Sequence, residues 1–329
     1  MNAGLRRGGV AGAAAGLLLV AFFGLRSQKM AEDGAEPQVA ADPPIGDATR
    51  VRFIALGDTG KGNDQQRKVA AAISQVCATK GCDFALLLGD NLYPEGMIAR
   101  DDPNMDRVFT KIYNELPFPF YAVLGNHDVN VNDLTRAHHQ LAWAESEPQF
   151  EMPGRFYSFN AGPARFWALD TNDVMWHGPG RQQEWLNTEL PRQSGWRVVF
   201  GHHPWKSNGK HGNAGEYDDT VGVPYVSGDG PKELFEKTLC NQADLYVAGH
   251  DHSLQLLDSK GCGTTLVVSG AGAEVRPIED RGNTPAFAES TLGFAWIELG
   301  ETGTVSFYGA DAQLLESFQI AKVERKPLK

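Results

Sequence analysis

Short apolar runs alternate with longer amphipathic segments along the chain from residue 51 onward. Apolar runs bounded by turn-forming residues predict buried strands, and the longer segments predict helices. The predicted strands of the first part are Val51–Leu56, Phe84–Leu88, Phe120–Leu124, Phe156–Phe159, Phe166–Leu169, Arg197–Phe200 and Leu245–Ala248. The predicted helices are Asn63–Ala78, Met105–Glu115, Asp133–Ala144, Pro179–Leu190 and Pro231–Leu239.

The rest of the chain is rich in strands. They are predicted at Ser253–Leu257, Thr265–Ser269, Phe294–Glu298, Val305–Tyr308 and Leu314–Ile320. Strand–helix alternation followed by a strand-rich end indicates a layered α/β fold built around sheets. Because no internal linker divides this pattern, we expect a single catalytic domain over residues 42–329.

A short polar cluster that begins with glycine follows five of the apolar runs. In open α/β sheets ligands bind at the carboxyl ends of the strands, so these clusters should converge on one site. The glycine allows the chain to turn sharply as it leaves each strand. The clusters are Gly57-Asp58-Thr59-Gly60, Gly89-Asp90-Asn91-Leu92-Tyr93, Gly125-Asn126-His127-Asp128, Gly201-His202-His203 and Gly249-His250-Asp251-His252.

These clusters combine carboxylates, an amide oxygen, a phenol and imidazoles. Hard oxygen ligands mixed with imidazole suit Fe(III), Mn or Zn. Two such ions about 3.5–4 Å apart form the usual clamp for displacement at phosphorus. A carboxylate has to bridge them, and Asp90 is the natural candidate because it lies in the middle of the series.

The order of the five clusters is similar to that of the purple acid phosphatases, and the small, tartrate-resistant, mammalian-type branch is closest in length. The resemblance covers roughly residues 50–310. It implies the layered metallophosphoesterase fold of the calcineurin-like superfamily, a β-sandwich of mixed sheets flanked by helices. The metal site would lie at the C-terminal ends of the strands.

The resemblance also implies a ligand for each metal ion. Tyr93 would replace the histidine that most metallophosphoesterases carry in the first motif, where this chain has Gly60. A phenolate is hard and anionic, and it therefore suits Fe(III). The Fe(III) ligands would be Asp58, Tyr93 and His252, the ligands of the divalent ion (Fe, Zn or Mn) would be Asn126, His202 and His250, and Asp90 would bridge the ions.

The activity implied is hydrolysis of phosphate monoesters by a metal-bound hydroxide. His127 would hydrogen-bond the phosphate or protonate the leaving group, and His211, nine residues after His202, would be a second acid. A phosphodiesterase or pyrophosphatase of the same superfamily is the alternative. A non-hydrolytic iron redox or phosphate-binding protein is the second alternative.

The N-terminus predicts export. Arg6 and Arg7 precede an apolar run over residues 8–25, which is typical of a signal peptide or of an uncleaved signal anchor. Residues 31–48 are polar and contain prolines, so we expect a flexible linker outside the fold. We assign residues 1–41 to the leader and linker, and the catalytic domain is expected to begin at residue 42. The protein would then be secreted or periplasmic, and membrane-bound only if residues 8–25 remain as an anchor.

Four cysteines and the net charge complete the expectations. An exported chain with an even cysteine count favours two disulfides, for which we hypothesise the pairs Cys77–Cys82 and Cys240–Cys262 among three possible pairings. Buried free thiols would be expected in a cytosolic protein. The net charge is −11 and the chain has no Lys/Arg block, so we expect no nucleic-acid partner. We expect a monomer acting on small phosphorylated substrates or phosphoproteins.

Overall fold

The computed structural model describes residues 36–129, 136–217, 227–259 and 261–325. The predicted leader, with Arg6, Arg7 and residues 8–25, lies outside the described residues, as does the start of the predicted helix at Asp133. The described residues from Pro37 onward group into one compact unit. Among them, no helix is both long and apolar enough to cross a membrane.

Strands and helices alternate through the first two thirds of the described chain, and strands fill the rest. The strands are β1 (Gln38–Val39), β2 (Val51–Leu56), β3 (Phe84–Leu87), β4 (Phe120–Ala122), β5 (Phe150–Glu151), β6 (Tyr157–Ala161), β7 (Ala164–Ala168), β8 (Trp196–Gly201), β9 (Leu245–Ala248), β10 (Leu254–Asp258), β11 (Thr265–Ser269), β12 (Pro285–Glu289), β13 (Gly293–Leu299), β14 (Gly303–Gly309) and β15 (Leu314–Ile320). The helices are α1 (Asp64–Lys80), α2 (Pro103–Met105, then the π-helical Asp106–Thr110 and Lys111–Tyr113), α3 (Asn126–Val129), α4 (Arg136–Ala144), α5 (Thr171–His177), α6 (Gly180–Glu189, then the 3-10 turn Leu190–Arg192) and α7 (Asp229–Leu234, then the π-helical Phe235–Leu239).

Two mixed sheets form the centre of the fold. Sheet 1 has the order β1-β6-β7-β8-β9-β11-β10-β12, and sheet 2 has the order β15-β14-β13-β2-β3-β4-β5. Strands β7, β8, β9 and β11 are parallel in sheet 1, and β2 to β5 are parallel in sheet 2. Antiparallel strands flank both parallel sets. This architecture confirms the predicted β-sandwich of mixed sheets flanked by helices.

Aromatic side chains fill the space between the two sheets. Phe53 on β2 stacks on Phe84 on β3, with ring centroids 5.2 Å apart. Phe84 meets Phe166 and Phe159 of sheet 1 edge-on, at 5.2 Å and 5.5 Å. Offset and edge-to-face contacts of this kind add about 0.5–1.5 kcal/mol each to the burial of the rings. The packing fixes the two sheets face to face, and it thereby sets the distance between their strand ends.

The carboxyl ends of the parallel strands from both sheets meet at one end of the sandwich. After β2, Gly57 N donates to Ser269 O of sheet 1 at 2.8 Å, and Asp58 N donates to Gly89 O at 3.0 Å. After β9, Gly249 N donates to His202 O at 3.0 Å. These backbone bonds join the polar loops after β2 and β3 and those after β8 and β9, and Asn91 N, which donates to Asp128 Oδ1 at 3.0 Å, joins the loop after β4 to the loop after β3.

Helix α1 follows the first of these loops directly. The side chain of Asn63 caps it by accepting a hydrogen bond from Gln66 N at 2.9 Å, and Gly81 ends it with φ of 78°. An amide side chain satisfies an N–H that the first helical turn leaves unpaired. The cap fixes where the loop after Asp58 ends.

The prediction of a flexible linker outside the fold is wrong for its described part. Strand β1 pairs in parallel with β6, with Gln38 opposite Tyr157, and Ala40 is buried. Ala41 O then accepts a hydrogen bond from Tyr121 Oη at 2.6 Å. The polar, proline-containing sequence conceals this role because β1 is held by backbone pairing to an edge strand, which needs no apolar pattern.

Several short elements are missing from the sequence prediction. They are β1, β5, β12, α3 and α5. Helix α5 forms because Asp170 caps it, accepting from Asn172 N at 3.0 Å and Asp173 N at 3.1 Å. Elements this short carry too few positions to show a hydrophobic period.

Both hypothesised cysteine pairs are confirmed. Cys77 is bonded to Cys82 and Cys240 to Cys262, with Cα atoms 5.2 Å and 4.8 Å apart. The first pair joins the end of α1 to the turn before β3. The second joins the end of the α7 segment to the turn before β11.

Candidate metal centre

All seven predicted ligands lie where parallel strands end. The loop after β2 carries Asp58, the loop after β3 carries Asp90 and Tyr93, and Asn126 begins α3 after β4. His202 follows β8, and His250 and His252 follow β9. Sheet 2 therefore contributes the oxygen donors, and sheet 1 contributes the imidazoles.

Three of these residues have left-handed backbones. The φ angles are 59° at Asp58, 56° at Asp90 and 70° at His250, and a glycine precedes each one. Non-glycine residues in this region cost about 1–3 kcal/mol each and persist where the surrounding structure holds them. Here His250 N donates to Asp58 Oδ2 at 2.8 Å, so two of the strained positions restrain each other.

One group of donor atoms surrounds the phenol of Tyr93. Its Oη lies 2.9 Å from Asp90 Oδ2, 3.2 Å from Asp58 Oδ1 and 3.3 Å from His252 Nε2. His252 Nε2 also lies 3.4 Å from Asp58 Oδ1. Two carboxylates, a phenol and an imidazole thus present one atom each to a common point.

A second group surrounds the imidazole of His202. Its Nδ1 donates to Leu88 O at 2.8 Å, because a carbonyl oxygen only accepts. In the neutral ring Nε2 therefore presents a lone pair, and it lies 2.9 Å from Asn126 Oδ1 and 3.1 Å from His250 Nδ1. An amide oxygen and two imidazole nitrogens therefore converge here.

Asp90 lies between the two groups. Its Oδ2 faces Tyr93 Oη, and its Oδ1 lies 3.6 Å from His202 Nε2. The Oδ1 atom also accepts a hydrogen bond from His127 N at 2.9 Å, which fixes the orientation of the carboxylate. The donor atoms of Asp58, Asp90 and His202 all lie within 4.8 Å of one another, and the three residues are buried.

Burial sets the protonation of these groups. It raises the pKa of Tyr93 well above the usual phenol value, and the charges of Asp90 and Asp58 raise it further. Burial also lowers the pKa of His250 well below the usual value, so this imidazole is neutral. Burial opposes the charge on Asp58 as well, but the hydrogen bond and charge of His252 outweigh it and lower the pKa of that carboxyl.

The two predicted acid histidines lie on opposite sides of the site. His127 is 40% exposed, its ring centroid is 4.6 Å from that of Tyr93, and its Nδ1 donates to Pro94 O at 2.6 Å. His211 is buried, with its ring centroid 4.1 Å from that of His250. His127 is therefore the one of the two whose side chain is open to solvent.

His203, the neighbour of His202, is held by another contact. Its Nδ1 lies 2.7 Å from Thr171 Oγ1, and its N donates to the same oxygen at 3.2 Å. Its ring nevertheless packs 4.6 Å from that of His250. One ring nitrogen each of His202, His203 and His250 lies within 4.8 Å of the others, so His203 is a close neighbour of the ligand candidates His202 and His250.

Sequence reasoning missed the residues that hold the loops. Asp128 is buried and accepts from Gly125 N at 2.8 Å and from Asn91 N and Leu92 N at 3.0 Å. Asp251 accepts from His211 N at 2.9 Å. Both residues lie inside the polar clusters, directly beside or near a candidate ligand. An acidic residue in that position is the sequence feature that could have predicted their role.

Comparison with known proteins agrees with this geometry. The sequence model of the calcineurin-like phosphoesterase family matches residues 51–254, more than half of the chain. Purple acid phosphatase 3 of Arabidopsis thaliana is 30% identical over 264 residues, which cover 73% of this chain and 68% of that protein. Tartrate-resistant acid phosphatase type 5 of Sus scrofa is 27% identical over 261 residues, or 69% of this chain and 71% of that protein.

Solved structures share the fold. Purple acid phosphatase PPD1 from yellow lupin (Lupinus luteus) seeds superposes with a TM-score of 0.63 at 18% identity, covering 88% of this chain and 58% of that one. GAP50, the anchor in the inner membrane complex of Plasmodium, superposes with a TM-score of 0.68 at 20% identity, covering 85% and 91%. The family match and the relatives identify this chain as a member of the calcineurin-like phosphoesterases and, within them, of the purple acid phosphatases, which makes it a metal-dependent phosphoester hydrolase.

Proposed function

We propose that this protein hydrolyses phosphate monoesters at a centre of one Fe(III) and one divalent ion. The observation that carries the proposal is the position of Asp90, whose two carboxylate oxygens face the Tyr93 group and the His202 group separately. A bridging carboxylate is what two neighbouring cations need to offset their mutual repulsion. The residues therefore fit a binuclear site.

The second group supports a cation on independent grounds. Because Nδ1 of His202 donates to Leu88 O, only Nε2 is left for a metal ion, and this atom lies 2.9 Å from Asn126 Oδ1. An imidazole nitrogen and an amide oxygen this close together can share one cation. Asn126, His202 and His250 would hold the divalent ion, as Fe, Zn or Mn, because these metals accept mixed nitrogen and oxygen donors.

The first group supports Fe(III). Burial and two carboxylates keep the phenol of Tyr93 protonated, so only a strongly acidic cation would ionise it. Asp58, Tyr93 and His252 would hold this ion. A phenolate is a hard anionic donor of the kind that Fe(III) prefers.

Two such ions, held by these residues, would supply polarisation of the phosphoryl group and a water molecule of lowered pKa. The chain supplies the proton transfers. Nδ1 of His127 donates to Pro94 O, so a further proton would be carried by Nε2, the ring atom that lies 4.0 Å from Asp90 Oδ2. That N–H can donate to a phosphate oxygen or to the departing alcohol. His211, whose ring lies beside that of His250, would be a second proton donor.

The expectations on substrates, assembly and location extend this proposal. We propose small phosphorylated molecules or phosphoproteins as substrates, a monomeric protein, and no nucleic-acid partner, because the chain has no Lys/Arg block. Export, to the periplasm or the outside of the cell, is supported by the two disulfides, because such bonds persist in oxidising compartments. Membrane attachment would require that residues 8–25 remain uncleaved.

The test is a visible absorption spectrum with metal analysis of wild type and Tyr93→Phe. A ferric phenolate absorbs visible light by charge transfer, so we expect a purple band in wild type that the variant lacks. A colourless but active wild type with two non-iron ions would contradict the Fe(III) assignment. Turnover on a phosphate monoester and on a matched diester, measured with the same preparation, checks the substrate class: we expect faster monoester cleavage.

A further inference from the structure

A lysine and a glutamate outside the five polar clusters contact the Tyr93 group. Glu274 Oε2 lies 3.2 Å from His252 Nδ1, within ion-pair distance, and this buried nitrogen has no hydrogen-bond partner among the described residues. Lys61 Nζ donates to the same carboxylate oxygen, and it lies 5.2 Å from the centroid of the Tyr93 ring. Both side chains are partly buried.

The backbone holds the two residues in place. Gly272 N donates to Gly57 O at 3.2 Å, and Asn63 Nδ2 donates to Ala273 O at 3.0 Å. The loop that carries Lys61 is therefore joined, before and after Lys61, to the two residues that precede Glu274. These hydrogen bonds hold Glu274 opposite His252, so their contact does not depend on the two side chains alone.

We propose that Glu274 and Lys61 form a positioning pair for the Tyr93 half of the metal centre. Glu274 orients the imidazole of His252 so that Nε2 faces Asp58 and Tyr93. Lys61 pairs with Glu274, and its charge acts on the Tyr93 ring. This inference rests on the metal centre proposed above, and it concerns how strongly the chain binds the ion there and how electron-rich that ion is.

The physical argument has two parts. A metal-binding histidine that faces a carboxylate with its other nitrogen is held in one tautomer and is a stronger donor, and loss of such a partner weakens metal binding about 10–100-fold. A cation within about 6 Å of an aromatic ring attracts its electrons. Glu274 therefore makes the ion more electron-rich, and Lys61 makes it less so.

Because Glu274 and Lys61 carry opposite charges, removing each one should shift the reduction potential of the bound iron in opposite directions. A general disturbance of the site would not produce this pattern. In Glu274→Gln we expect metal affinity to fall about 10–100-fold, measured by competition with a chelator. In the iron-loaded protein we expect the reduction potential to rise in Glu274→Gln and to fall in Lys61→Met, with the double variant close to wild type. The visible band should shift in each single variant.

An exposed lysine–glutamate pair on the surface provides the control. Lys237 and Glu233 form an ion pair that is 65% and 43% exposed. Glu233→Gln and Lys237→Met should leave affinity, potential and spectrum unchanged. These two variants each remove one charge from a pair that does not contact the proposed metal centre.

The outcomes separate this inference from the proposed function. If wild type retains two ions and Glu274→Gln retains them equally well, the positioning pair is refuted while the metal centre stands. Shifts of the potential in the same direction in both single variants would also refute it. A wild type that binds no ion, tested with Fe(III), Zn(II) and Mn(II) separately, would overturn the proposed function and the inference together.

Discussion

At the scale of single residues, Asp128 is a buried carboxylate that organises the site from behind. It accepts hydrogen bonds from the backbone of the Asp90 loop at Asn91 and Leu92, and from Gly125 of the next loop. These bonds satisfy N–H groups that the sharp turns leave outside the sheet. Asp128 thereby fixes the spacing between Asp90 and the Asn126 loop.

Asp128→Asn should destabilise the metal-free protein by about 1–3 kcal/mol, because an amide NH₂ would replace an acceptor oxygen opposite backbone N–H groups. Denaturant unfolding of the metal-free protein measures the change. Asp311→Asn is the matched control, since Asp311 is exposed and accepts from Gln313 N at 3.1 Å. A loss in Asp128→Asn no larger than in this control would contradict the assigned role.

At the scale of elements, the site depends on how closely the loops after β2 and β3 approach each other. Tyr93 N donates to Gly60 O at 2.9 Å, and Gly60 N donates to Asp90 O at 3.0 Å. A Cβ atom added at Gly60 would lie 2.4 Å from the backbone of Asn91 and Leu92. Gly60 therefore lets the two loops touch, and this contact brings Tyr93 beside Asp58.

Gly60→Ala should cost about 1–3 kcal/mol, as overpacking usually does, and it should weaken metal retention by separating Asp58 from Tyr93. Unfolding and chelator competition measure the two effects. Gly46→Ala is the control, because a Cβ at Gly46 meets no atom within 4 Å. Equal metal retention in the two variants would show that the close approach is unnecessary.

At the scale of the whole molecule, the site exists only when both sheets are assembled. Sheet 2 supplies Asp58, Asp90, Tyr93 and Asn126, and sheet 1 supplies the three histidines. The edge of sheet 1 is completed by β1, through Gln38 N to Phe156 O at 3.2 Å and Ala40 N to Ser158 O at 3.0 Å. The segment before residue 43 is thus part of the fold.

A chain that begins at residue 43 should be less stable than one that begins at residue 37. It loses the β1 bonds, the Tyr121–Ala41 bond and the bond from Asn160 N to Asp42 Oδ1, so we expect about 2–4 kcal/mol at about 1 kcal/mol per bond. Denaturant midpoints of the two chains measure the difference. Val39→Ala in the longer chain should have little effect because Val39 is 72% exposed. Equal midpoints for the two chains would restore the linker prediction.

The sequence by itself determined the main strands, the order of the polar clusters and the family. These follow from local patterns: apolar runs define buried strands, and glycine followed by Asp, Asn or His marks where they end. The fold class and both disulfides are confirmed, while the ligand roles of the clustered residues and the acid roles of His127 and His211 stay predictions.

The tertiary structure decided which side chains meet across the two sheets. Glu274 and Lys61 are 213 positions apart, and they touch because the loops after β2 and β11 pair. The same packing turned Nε2 of His202 and His252 toward the site and added β1 to the sheet edge. Contacts of this kind depend on sheet pairing and close packing between distant segments, which no local periodicity encodes.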